Sequence, residues 1–133
     1  MLKKYFFTLA FIAWISFVTF SSLYSFEDVH TNSYKIPNID KLVHFTFYSV
    51  ACSLGLLSIR ERTKGAVLLK KALVVMVIST ILFGILMEVL QYALTTHRTG
   101  DVLDVLANTL GSLCGAFAMK WLFSLKSGLK WKF

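Results

Sequence analysis

The chain has 133 residues, of which 56% are hydrophobic, 15% aromatic and only 16% charged, with a single proline. That length predicts one domain, 1–133, and the balance excludes an ordinary soluble domain in favour of the membrane class. The net charge of +7 would suit nucleic acid in a soluble protein. Here the basic residues flank apolar runs, with no aromatic-interleaved basic stretch and no Cys/His finger spacing, so nucleic acid is excluded as a partner.

The first apolar run, about 5–24, follows Met-Leu-Lys-Lys. A secretory signal is one reading of it. Its apolar stretch is longer than a usual signal core and FSSLYS is a weak cleavage pattern, so an uncleaved first span is predicted. The second run, about 42–59, is the shortest. It opens with IDKLVHFTFY, in which Asp40 and His44 are i, i+4 and Lys41, His44 and Tyr48 follow at 3 and 4, one helical face.

The third run, about 72–94, carries Thr80, Gly84, Glu88 and Gln91 at spacings of 4, 4 and 3. Glu88 lies roughly 9 Å inside the end of that helix at 1.5 Å per residue. A carboxyl group at such depth is costly unless paired, hydrated or neutral. The fourth run, about 102–123, follows His97 and Arg98. It aligns Asp101, Asp104, Asn108, Gly111 and Gly115 at spacings of 3, 4, 3 and 4. Gly111 and Gly115 form a G-x-x-x-G pair, which permits close approach of another helix; the third span near Gly84 is the expected partner. Cys52 and Cys114 fall inside apolar runs without metal-ligand spacing and read as small packing residues.

Each run is long enough to cross a bilayer, which takes roughly 17–25 residues. The expected fold is all-α: a four-helix transmembrane bundle with no second domain. Lys3, Lys4, Arg60, Arg62, Lys64, Lys70, Lys71, Lys120, Lys126, Lys130 and Lys132 lie at the N-terminus, in the second loop and at the C-terminal end. Only Lys35, Lys41 and Arg98 lie on the other side. The positive-inside rule then puts both termini in the cytoplasm.

Three polar stripes therefore meet at the outer end: Asp40, Lys41, His44, Glu88, Gln91, Arg98, Asp104 and Asn108, with Asp101 at the rim. Intramembrane ionisable residues mark function by default, so a shallow ligand-binding cavity is favoured over a purely structural staple. Singly, the plainer reading is stronger. Asp101, His97 and Lys41 sit near the interface, and a lone histidine such as His44 is more often a hydrogen-bonded core residue. Three classes stay open. One is binding of an amphiphile that presents a polar head at the outer surface, such as a lipid, with Arg98 and Lys41 toward phosphate or carboxylate. A second is an enzyme using Glu88, Asp104 and His44 as acid–base groups, although no nucleophile motif is present. The third is an assembly protein held by ion pairs. A metal bound by Asp40, His44, Glu88 and Asp104 is chemically feasible but ranks behind these, so neither a metal nor another cofactor is expected. Oligomeric state is not encoded in any feature of the sequence.

DKLVHFTFY, GILMEVLQY and HRTGDVLDVLANTLGSLCG together resemble the VanZ-like family of small bacterial membrane proteins. The matching positions are Asp40, Lys41 and His44, then Glu88 and Gln91, then Arg98, Asp104, Asn108 and Gly111; FSS at 20–22 is also similar. The resemblance covers about 38–117 and implies a multi-pass protein. The family's named member is linked to low-level resistance to the glycopeptide teicoplanin. No defined biochemical activity comes with the resemblance.

Overall fold

A computed structural model describes residues 2–24, 38–94, 101–125 and 131. A short 3-10 turn, Leu2–Tyr5, leads into α1 (Phe6–Leu23). Then follow α2 (Ile39–Thr63), α3 (Leu69–Leu94) and α4 (Val102–Ser124). The helices have 18, 25, 26 and 23 residues, roughly 27–39 Å at 1.5 Å per residue against a hydrocarbon core of ~30 Å. All four are long and apolar enough to cross a membrane, and no strand occurs among the described residues. The second span is longer than its apolar run because Asp40 and Lys41 at one end, and Arg60 to Thr63 at the other, continue the helix into polar sequence. Left-handed Asn38 precedes α2; left-handed Lys64 and Gly65 terminate it.

The bundle is turned out for lipid. Val102, Phe117, Tyr92 and Leu82 face outward, while the contacts between helices run along small and polar residues. The most extensive packing is between α2 and α4, and glycine explains it. A Cβ on Gly111 would collide with the backbone carbonyl of Phe45, and one on Gly115 with that of Ser49. The G-x-x-x-G face of α4 therefore packs on α2. This corrects the expectation that it meets α3: a small-residue stripe permits a close approach without specifying which helix fills it. Gly84 has a related role on α3, where a Cβ would sit 3.1 Å from both Tyr48 Cε1 and Asn108 Cβ.

The interior divides along its length. One half is apolar: Cys52 and Leu56 of α2, Leu69, Ala72 and Met76 of α3, and Met119 and Phe123 of α4. Trp131 closes it, its ring edge-on to Phe123 at 5.1 Å and its Nε1 donating to the Val67 carbonyl at 2.6 Å. The other half, between the start of α2, the end of α3 and the start of α4, is polar. The light helix α1 is pinned at three heights. At its start, Glu61 accepts from the Phe7 and Thr8 amides (3.1 and 2.8 Å) and from the Thr8 hydroxyl (2.8 Å). Midway, Trp14 Nε1 donates to the Phe47 carbonyl at 3.0 Å. At its end, Gln91 Nε2 donates to the Ser22 carbonyl at 2.7 Å.

Candidate functional site

The polar half is assembled from three helix faces. On α2 the i, i+3, i+7 positions are Lys41, His44 and Tyr48. On α4, Asp101 caps the helix by accepting from the Leu103 amide at 2.9 Å, an arrangement that satisfies one orphan donor of the first turn. Asp104 and Asn108 then follow on the face that Gly111 and Gly115 hold against α2. On α3, Thr80, Gly84, Glu88 and Gln91 all point inward and are buried.

The deepest contacts centre on His44. Its Nδ1 is 3.0 Å from Asn108 Oδ1 and 3.4 Å from Glu88 Oε1. With Asn108 presenting its Oδ1, the tautomer that satisfies this contact carries its proton on Nδ1. Asn108 is 1% exposed and Glu88 6%, so these polar groups are removed from solvent by helix packing alone. One donor atom each from His44, Glu88 and Asp104 lies within 4.8 Å of the others. Two more polar atoms sit in the same interior. Tyr48 Oη and Asn108 Nδ2 are buried with no hydrogen-bond partner among the described residues, and both side chains abut Gly84. Buried polar groups are normally satisfied, so this interior has room in its hydrogen bonding for a further polar guest.

A second layer lies nearer the rim. Lys41 Nζ is 3.0 Å from Asp101 Oδ2, 3.4 Å from Asp104 Oδ1 and 3.6 Å from Asp40 Oδ2. The ammonium expected to meet a ligand phosphate is thus committed to three aspartates. The Leu103 amide and, after it, the Lys41 ammonium hold the Asp101 carboxyl below its ordinary value. Asp40 remains largely exposed at the mouth.

Two grooves on the lipid-facing surface reach this end. One, about 450 Å³, runs between α1 and α2: Phe17, Ile39, Val43 and Phe47 form apolar walls, and Ser21, Ser22, Asp40 and His44 supply its polar lining. The other, about 250 Å³, lies between α3 and α4 and touches Glu88, Tyr92 and Asp101.

Of the residues singled out in the sequence, Lys41, His44, Glu88, Asp104 and Asn108 come together. Asp40 is at the rim, and Gln91 is turned to α1 through Ser22. Arg98 and His97 lie outside the described residues. Sequence reasoning missed the Ser22 carbonyl, because a backbone acceptor has no signature, and it missed Glu61. The latter carried a signal: it is the one acid among the basic residues between the second and third spans.

The VanZ/LLP1 family model matches residues 6–124, from the first residue of α1 to the last of α4. No curated protein and no solved structure matches the chain.

Proposed function

The chain belongs to the VanZ-like family of multi-pass membrane proteins, and from that premise we propose that it binds an amphiphile of the cell envelope at the polar end of the bundle. The α1/α2 groove is the observation that carries this reading. Its apolar walls, Phe17, Val43 and Phe47, run toward the middle of the bundle, and Asp40 and His44 stand at its outer end. That gradient suits a molecule with an acyl chain along the helices and a polar head at the membrane surface. The side chains near the head position offer mainly acceptors: Asp40 at the groove, with Asp101 and Asp104 beyond it, against the already engaged Lys41. A head group rich in amine or hydroxyl donors fits them better than a bare phosphate. A lipid, a lipid-linked envelope precursor and a lipoglycopeptide all meet this description. The family's link to teicoplanin resistance makes the last a direct test case. On the positive-inside reading the site faces outward from the cytoplasmic membrane of a bacterium.

The test is photolabelling of the full chain in liposomes with a phospholipid carrying a photoactivatable acyl chain. Labels should concentrate on Phe17, Val43 and Phe47, and Val43→Trp, which narrows the groove, should reduce them. Labelling spread evenly over Leu82, Phe117 and the other lipid-facing residues would remove the groove from the argument. Expression of the chain should also raise the teicoplanin concentration needed to stop growth, and His44→Gln should cancel that rise.

One contact supports an enzyme reading: the 3.4 Å approach of His44 Nδ1 to Glu88 Oε1, the geometry by which a carboxylate orients an imidazole for proton transfer. Product analysis of the labelled lipid, with and without Glu88→Gln, distinguishes turnover from binding.

A further inference from the structure

We propose that the buried floor of this cluster is a divalent-cation site whose ligands are His44, Glu88 and Asp104. Three helices deliver one ligand each, and their donor atoms already lie within 4.8 Å of one another. His44 Nδ1 is 3.4 Å from Glu88 Oε1 and 3.0 Å from Asn108 Oδ1. With metal–ligand bonds of roughly 2.0–2.2 Å, adjacent ligand atoms stand roughly 3–3.5 Å apart, so His44 Nδ1 and Glu88 Oε1 already have the separation of two ligands on one ion. Asp104 completes the set with a carboxylate oxygen within 4.8 Å of both. Asp40, part of the set that the sequence offers, drops out because it stays at the rim with Lys41.

Asn108 supplies the independent observation. Its amide is 1% exposed and turns its oxygen to the site, although this leaves Nδ2 without a hydrogen-bond partner among the described residues. Turning the amide over would satisfy Nδ2 only on an unprotonated Nδ1, leaving a ring lone pair 3.4 Å from a carboxylate oxygen. The inward-facing atoms are therefore acceptors around one ring proton, and a cation can take that proton's place. Tyr48 Oη, one turn beyond His44, is equally buried and without a partner among the described residues. The local charge agrees in sign: among the described residues this end holds the carboxylates of Asp40, Glu88, Asp101 and Asp104 and the single ammonium of Lys41. One imidazole with two carboxylates suits Zn²⁺ or Mn²⁺ better than Mg²⁺, which favours all-oxygen shells that keep several waters. The α3/α4 groove, which touches Glu88, gives the ion a way in.

The site shares His44 and Asp104 with the proposed head-group position, but the ion is read without lipid, so its test needs no lipid ligand. Tag-free full chain in detergent is stripped with EDTA, dialysed against Zn²⁺, Mn²⁺ or Mg²⁺ and assayed for bound metal. The expected result is one Zn²⁺ or Mn²⁺ per chain that survives gel filtration, with affinity lowered about tenfold or more in His44→Gln, Glu88→Gln or Asp104→Asn and kept in Asp40→Asn. No retained metal, or equal retention in all four variants, overturns the proposal. Because the buried variants can fail to fold, the wild-type chain loaded with Mn²⁺ is also examined by pulsed electron paramagnetic resonance. Modulation from an imidazole nitrogen is expected, and its absence rejects His44 as a ligand. Metal binding without lipid labelling would leave this site standing and remove the amphiphile reading; the reverse result would do the opposite.

Discussion

Gly111 is the residue at which the smallest substitution has the largest expected effect. Its missing Cβ is occupied by the backbone carbonyl of Phe45, which is not a flexible side-chain tip that can swing aside. Gly111→Ala should therefore push α4 off α2 and cost about 1–3 kcal/mol, the usual penalty of overpacking; Gly111→Leu should lower the amount of folded protein outright. Thermal unfolding in detergent and the level in the membrane are the measurements, and an unchanged unfolding temperature for Gly111→Ala would mean that the two helices are not in contact there. Glu88→Gln asks a different question. It keeps shape and removes charge and proton chemistry at a site 3.4 Å from His44. If the cluster serves a ligand, lipid labelling should fall severalfold while unfolding stays within about 1 kcal/mol, since hydrogen bonds between membrane helices contribute only about 0.6–2 kcal/mol each. If the cluster is a staple, stability should fall instead and labelling only in proportion.

At the scale of helices, α1 is the element whose attachment is most exposed to test. Its charged tether, Glu61, receives the Phe7 and Thr8 amides at the helix start, where the positive end of the helix dipole favours a carboxylate. Glu61→Ala should release that end, measured as faster amide hydrogen exchange at Phe7 and Thr8, while Gln91 still holds Ser22 at the far end. Exchange unchanged in the variant would mean that apolar packing alone seats α1. The start of α4 offers a pH test. Asp101 caps it and pairs with Lys41, and its carboxyl is held below the ordinary 3.8. A lowered folded-state value means that the stabilisation is fully present above 3.8 and is lost as pH falls through the lowered value. Unfolding temperature should therefore drop on acidification below about pH 4. In Asp101→Asn, which can still cap but cannot pair with Lys41, that part of the drop should vanish. The difference between the two curves isolates Asp101.

For the whole molecule, hydropathy carries the four spans, and helical spacing carries the gathering of Lys41, His44, Glu88, Asp104 and Asn108 at one end. Both are properties of single helices, and a sequence displays those directly. Which faces meet is a property of pairs: nothing in G-x-x-x-G distinguishes α2 from α3 as the neighbour, and nothing marks Ser22 as the carbonyl that Gln91 finds. Orientation across the membrane is a third kind of information, held in charge rather than in packing. In sequence order, the basic residues before the first span, between the second and third, and toward the end of the fourth and beyond it (Lys3, Lys4, Arg60, Arg62, Lys64, Lys70, Lys71, Lys120, Lys126, Lys130 and Lys132) outnumber those between the first and second spans or third and fourth, or at the start of the second (Lys35, Lys41 and Arg98), by eleven to three. Lys41 weighs less still, because Asp101 and Asp104 neutralise it. The polar end should therefore face outward. A reporter active only in the cytoplasm should work when fused after Lys126 and fail when inserted near Asn32, and one active only outside should do the reverse. An Asn32 insertion active in the cytoplasm would turn the bundle over. The His44 groove would then open to the inner leaflet, and a ligand arriving from outside the cell could not reach it.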